Sequence, residues 1–266
     1  MMNNKSYLLL ILVFAGMAFA SCEKVIDANL KNATPVIVIE GIVTNRIDSQ
    51  VVKIHRSVPF GESNEFPGVS GAIVTILDNS SGRLVTVRER RPGFYSARNF
   101  TGRSGVTYSL RVEVEGKVFT AISTMPDQVN IDSLGISVST FLGEEQRTVQ
   151  LLYTDPVKGR NYYRFLLTIN GKPSKNIFAF EDNFSNGRVV TRELFDLDLN
   201  ARPGDTAELE MHCIDPAVFR YWQGLDQNQN RGGASTTPAN PVSNISNGAL
   251  GYFSAHTKQI ETIKIP

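Results

Sequence analysis

From Pro35 onward, apolar and polar residues trade places over stretches of five to nine positions, and Gly, Pro, Asn or Asp closes each stretch. That period of two is the signature of strands with one buried face. It predicts strands over 36–44, 51–58, 72–78, 84–88, 93–98, 107–114 and 117–123. The closing residues are turn formers: Asp78-Asn79-Ser80-Ser81-Gly82, Arg91-Pro92-Gly93, Glu115-Gly116. Seven short strands at this spacing predict a β-sandwich.

Met125-Pro126-Asp127 marks a boundary, and alternation resumes with Leu134, Ile136 and Val138. Further strands are expected over 149–153, 162–169, 177–180, 189–197 and 206–213, with a turn at Asn170-Gly171-Lys172. Tyr163, Phe165, Leu167 and Ile169 share one face; so do Ala207, Leu209, Met211 and Cys213. One segment changes period. Asp215 suits an N-cap and Pro216 a first helical position, and Val218, Tyr221, Trp222 and Leu225 follow at helical spacing. This predicts a short amphipathic helix over 215–225. Residues 226–247 hold five Asn, two Gln and two Pro and read as a long loop. Two strands, 248–256 and 259–265, are expected to close the chain. The expected fold class is mainly β: an N-terminal Ig-like β-sandwich (35–125), then a second β-rich domain (126–266) with one helix. The Ig-like element is Gly105-Val106-Thr107-Tyr108, which resembles the Gly-x-x-Tyr stretch of such domains. Tyr108 is therefore expected to be structural.

The first residues follow another rule. Lys5 precedes 14 uncharged residues, Tyr7 to Ala20. That is short for a spanning helix, which needs about 20, and fits a signal peptide over 1–21. Phe19-Ala20-Ser21-Cys22 resembles a bacterial lipobox, with Phe19 where Leu is usual. Cys22 is then expected to carry lipid, with about 0.8 kcal/mol of membrane affinity per buried CH₂. Residues 22–34 become a tether, and the outer membrane the expected location, in either leaflet. An ordinary secretory signal cut near Ala20 is the alternative. Acylation of Cys22 leaves Cys213 as an unpaired thiol on an apolar strand face.

Charge narrows the partners. Lys and Arg number 27 against 26 Asp and Glu, a net charge of +1, so nothing draws the chain to nucleic acid. Six arginines cluster between Arg83 and Arg103, and six acids between Glu193 and Glu210. These read as solvated strand faces; the sharper alternative is a basic patch for lipid phosphates or an acidic partner. His55, His212 and His256 show no metal spacing, and no H-E-x-x-H, G-x-S-x-G or P-loop occurs. Asp196-Leu197-Asp198-Leu199-Asn200 imitates a calcium loop but fails at Ala201 and Ala207. No catalytic residue, metal or cofactor is expected. Tyr221 and Trp222 could stack on a sugar, though core packing suits their spacing. Asn228, Asn230, Asn240 and Asn244 offer amides to a small polar ligand or a receptor loop. Asp132-Ser133-Leu134 and Asp205-Thr206-Ala207 resemble an O-glycosylation sequon.

Taken in order, the leader, Cys22, Pro35-Val36-Ile37-Val38-Ile39-Glu40-Gly41, Gly93-Phe94-Tyr95, the helix and Asn240-Pro241-Val242-Ser243-Asn244-Ile245-Ser246-Asn247-Gly248-Ala249-Leu250-Gly251-Tyr252-Phe253 resemble the Bacteroidota lipoproteins grouped as domain of unknown function 4249. Members tend to be encoded beside TonB-dependent outer-membrane receptors. The resemblance implies a non-enzymatic accessory or ligand-binding role in nutrient uptake and supplies no catalytic residues. A structural or assembly lipoprotein, or a hydrolase with an unrecognised site, are the alternatives.

Overall fold

The structure is a computed structural model. It describes residues 34–47, 50–59, 65–141, 143–182, 184–199, 201–230 and 240–266. The leader, Cys22 and the tether to residue 33 lie outside them, as do 231–239. Among the described residues no helix is long and apolar enough to cross a membrane. The body considered below is Thr34–Val58 with Glu62–Pro266.

The first half folds as the alternation predicts. β1 (Ile37–Thr44) pairs with β2 (Gln50–Arg56), β2 with β5 (Phe94–Ala97), and β5 with β4 (Leu84–Arg91). β4 also pairs with β3 (Ile73–Asp78), β3 with β6 (Thr107–Val114), and β6 with β7 (Lys117–Thr124). All are antiparallel. The path curls through β4, whose register shifts between Glu89 and Arg91, and the two halves enclose one core. Ile39, Ile54, Ile76, Tyr95, Tyr108 and Leu110 sit inside it. Among the described residues of this half, the buried side-chain polar atoms are hydrogen-bonded, as burial demands. Tyr108 accepts from the Arg103 N–H through its hydroxyl (2.8 Å), as expected of a structural tyrosine. Gln50 accepts from Thr44 N–H (2.7 Å) and donates to Phe100 O (2.9 Å).

In the second half, β8 (Ser133–Phe141), β9 (Glu144–Thr154) and β13 (Val189–Leu194) make a three-stranded sheet in the order β13-β9-β8. Its inner side chains share a core with those of β10 (Tyr162–Ile169) and β14 (Thr206–Cys213). β11 (Lys172–Pro173) and β12 (Phe178–Glu181) flank β10. The two predicted apolar faces of β10 and β14 both point into this core. Cys213 is among them: its sulfur accepts from Val129 N–H (3.3 Å), and burial raises the thiol pKa.

Three expectations need correction. The closing strands 248–256 and 259–265 are one 15-residue strand, β15 (Leu250–Lys264). Thr257 and Lys258, which join them, contain no turn former, so the chain runs straight through. Its first part, Leu250 to His256, pairs in parallel with Val38 to Thr44; the next, Thr257 to Lys264, pairs antiparallel with β14. The helix α1 (Pro216–Asn230) runs five residues beyond 225. The polar residues after Leu225 extend its solvent side, so the predicted loop 226–247 begins later. Core membership also departs from chain order, since Ile245, Ala249, Phe253 and Ala255 belong to the first core. The 35–125 and 126–266 division therefore does not coincide with the two cores.

β15 can lie beside β1 only because of Gly251. Its φ is +95°, and an added Cβ would fall 2.0 Å from Ile39 O. Both the conformation and the space exclude a side chain. Gly251→Ala is expected to destabilise the fold by about 3 kcal/mol or more. Chemical denaturation measures it; a loss below about 1 kcal/mol would show that the contact is dispensable.

Candidate functional site

Strand alternation buries Phe119, Ala121 and Ser123 of β7, so Ile122 points outward. Ile122 is 66% exposed and Leu84, on β4, 63%. These two, with Leu77, line an open cavity of about 590 Å³ on the outer face of the first sandwich. Its other wall is the stretch Ser243–Ser246. Arg111 is the charged side chain of the lining, and it is paired with Glu113 (2.8 Å). The lining is otherwise aliphatic, with Ser and Thr hydroxyls.

The wall is pinned by backbone-like contacts. Ile245 bridges Ala121, and Ser246 N–H donates to Thr120 O (2.8 Å). Asn244 is a clamp: its amide donates to Phe253 O (2.7 Å) and accepts from Phe253 N–H (2.9 Å). Asn244 thus lines the cavity while its amide serves β15. Asn240 is exposed at the start of this stretch. Pro241 packs on α1, where a Cβ on Gly224 would sit 3.4 Å away.

α1 covers a second, more polar cluster. Asp215 caps it, accepting from Ala217 and Val218 N–H (both 2.9 Å), and its other oxygen accepts from the Ser123 hydroxyl. Val218, Phe219 and Trp222 pack against Tyr162 and Tyr252. The Arg164 guanidinium lies 3.4 Å from the centroid of the Trp222 ring, a contact worth about 2 kcal/mol when desolvated. Tyr221 lies 5.0 Å from Tyr252, centroid to centroid. Tyr221 and Trp222 are therefore packing residues of the helix and do not border the aliphatic cavity. Asn228 lies on the helix away from the cavity lining, and Asn230 ends the helix, its side chain outside the described residues.

His212 and His256 stack at 4.1 Å beneath this helix region. Glu210, a carboxylate, can only accept, so His212 Nε2 donates to it (2.5 Å). Lys258 reaches the other oxygen of Glu210 (2.6 Å). Burial tends to raise the Glu210 pKa, but His212 and Lys258 hold it at about 2. His256 shares a hydrogen bond with Ser254 (2.9 Å). Ser254 is 1% exposed, so its hydroxyl is closed to a substrate in this arrangement. Among the described residues no cluster of three His, Cys, Asp or Glu could hold a metal ion.

The sequence pointed to the Asn-rich stretch and missed the aliphatic wall. The signal was present: Ile122 is out of phase with its strand's buried positions, an apolar residue on a solvent register. The fold and site thus define a mainly β, double-sandwich protein with an aliphatic cavity on one sheet face. The chain belongs to the family described as domain of unknown function 4249, whose model matches residues 23–262. No curated protein matches it. Among solved structures it is similar to the selenomethionine-substituted chicken interferon gamma receptor alpha chain, at 10% identity, covering 88% of this chain and 100% of that one, with a TM-score of 0.23. A likeness at that level carries no argument about fold or function.

The histidine pair sets a pH dependence. Burial lowers both pKa values from 6.5, that of His256 furthest, with Arg164 and Lys258 opposing protonation of either ring. Below about pH 6.5 the unfolded chain takes up protons that the folded chain refuses, so stability falls as pH drops. Glu210 acts lower, between its ordinary 4.5 and about 2. Melting temperature is expected to decline from pH 6.5 to pH 5, and His256→Gln to flatten that slope. A level wild-type profile over this interval contradicts the assignment.

Proposed function

We propose that this protein is a lipid-anchored, non-enzymatic accessory of the outer membrane that holds a ligand beside a TonB-dependent receptor during nutrient uptake. The observation that carries the reading is the aliphatic cavity under Ser243–Ser246. About 590 Å³ is within the range of small-molecule sites. Its chemistry suits a ligand with an apolar body and a few hydrogen-bonding groups to meet the serines and threonines. A rigid sheet presents the cavity, so little ordering accompanies capture. Lipid on Cys22 would confine the domain near the membrane and raise its effective concentration next to a receptor.

The test has three readouts. A fatty-acid probe should label the wild-type chain and not Cys22→Ala, which should leave the membrane fraction. Affinity capture of the tagged chain from its own envelope in mild detergent should bring down an outer-membrane β-barrel receptor. Anilinonaphthalene sulfonate should bind the folded chain, and Ile122→Glu should weaken it about tenfold or more at an unchanged melting temperature, since a charge replaces an aliphatic wall. An unlabelled, freely soluble wild-type chain refutes the anchor. Capture of envelope scaffold proteins without a receptor favours a structural or assembly role instead.

A further inference from the structure

The apolar side chains of the cavity stand in register. Leu84 lies opposite Leu77, Leu77 opposite Ser109, and Ser109 opposite Ile122. Together they make a row across β4, β3, β6 and β7 on the outer face, while alternate residues such as Ile76, Val87 and Phe119 point into the core. Neighbouring strands lie about 4.8 Å apart, so the row spans roughly 14 Å, about the length of an extended chain of ten to twelve carbons. Ile245 and Ser246, held to β7 through Ala121 and Thr120, wall the Ile122 end. A straight apolar row with one wall fits a narrow, linear body.

The next row along the same strands is Thr86, Thr75, Arg111 and Thr120. Arg111 gives the lining its charge, and no acid, lysine or histidine stands beside it there. Glu113, its partner, lies two residues further along β6, opposite Ile73 and Val118 and outside the lining. The pair is thus a dipole with its positive end on the cavity. Nε and Nη2 of Arg111 both meet one oxygen, Glu113 Oε1 (2.9 and 2.8 Å), so no two-oxygen fork closes the guanidinium. The two side chains are 50% and 41% exposed, where an ion pair contributes little and exchanges readily. The hydroxyls of the lining are already engaged. Ser109 donates to Asn79 Oδ1 (3.0 Å), Thr120 shares a hydrogen bond with Ser246 (3.0 Å), and Ser243 accepts from Ile245 N–H (3.1 Å). Arg111 is therefore the strongest polar attraction left to a ligand.

We propose that the cavity takes a linear aliphatic carboxylate, with its chain along the row from Leu84 to Ile122 and its head on Arg111. The proposal deepens the ligand-binding reading above and rests on it. Covering the exposed Leu84 and Ile122 favours the chain. A carboxylate matches the guanidinium fork, which an alcohol matches less well and an ammonium opposes. The occupant is a free amphiphile and not a membrane: Thr75, Thr86, Thr120, Arg111 and Glu113 share the face with the aliphatic row, and that face is too polar to enter a bilayer.

Calorimetry on the full-length Cys22→Ala chain in detergent-free buffer tests this, with decanoate, 1-decanol and decylammonium as probes. Decanoate is expected to bind about tenfold or more tightly than decanol, and decylammonium most weakly. Hexanoate, too short to cover the row, should bind about tenfold or more weakly than decanoate. Arg111→Gln, at a half-exposed position, should keep the melting temperature and the decanol affinity and lose the preference for decanoate. Glu113→Gln should strengthen decanoate and leave decanol unchanged. Equal affinities for decanoate and decanol overturn the carboxylate, as does a decanoate affinity that survives Arg111→Gln. Sedimentation with phosphatidylglycerol vesicles that Ile122→Glu abolishes overturns the free amphiphile. If anilinonaphthalene sulfonate binds and none of the linear probes does, the linear ligand is overturned and the cavity reading stands. If that dye fails as well, the cavity reading falls with it.

Discussion

The parallel pairing of β1 with β15 is the constraint on which the rest depends. A parallel neighbour needs a long crossover, and here nearly the whole chain is that crossover. The strand that closes the first sandwich continues, without a turn, as a strand of the second. Two cores that would otherwise be joined by a linker share fifteen residues of backbone. The close approach of Ile39 O to Gly251 is what lets the shared strand dock. Once it docks, Phe253 and Ala255 fill the first core, and Asn244 gains the backbone partners that pin the cavity wall.

The outer face of the shared strand explains where the polar residues went. Ser254 and His256 point away from the core they border, yet both are buried. Burial there would leave each with an unmet hydrogen bond, at about 1–3 kcal/mol apiece. The fold meets part of that cost locally, since Ser254 bonds His256 and Glu210 gathers His212 and Lys258, while His212 Nδ1 and Trp222 Nε1 stay buried without a hydrogen-bond partner. Arg164 is not paired with an acid in this network but lies on the Trp222 ring. The helix and the charged cluster thus stabilise each other, and Asp215 fixes the helix start to β7 through Ser123.

Strand existence was legible because one face of nearly every strand is buried, which imposes a period of two on Tyr163 to Ile169 and on Ala207 to Cys213. The shared strand was not legible as one element. Nothing in Thr257 or Lys258 records that the partner changes from β1 to β14. The helix end was misplaced because Asp226, Gln227, Asn228 and Gln229 are polar, and a polar run looks the same on a solvated helix face as in a loop. The imitation at Asp196 was a turn instead: Asp198 N–H and the Ser174 hydroxyl both bond the Asp196 carboxylate.

Asparagine content was a guide to place and not to role. Asn244 sits where an amide was expected to face a ligand, but both ends of that amide are committed to Phe253. An unpaired Phe253 N–H or carbonyl in a half-buried strand would be costly, so the clamp is a structural use of the same chemistry that recognition requires. On the proposed reading, recognition falls to the side chains the clamp positions. Ile245 is drawn against Ala121, and Leu84 and Ile122 stay exposed. An aliphatic face held open by hydrogen bonds costs solvation in the free protein, and that cost is recovered when an apolar ligand displaces its water. On the proposed reading the selectivity of the site resides in its shape and in the charge of Arg111, since the hydroxyls of Ser109, Thr120 and Ser243 already bond Asn79, Ser246 and the Ile245 N–H.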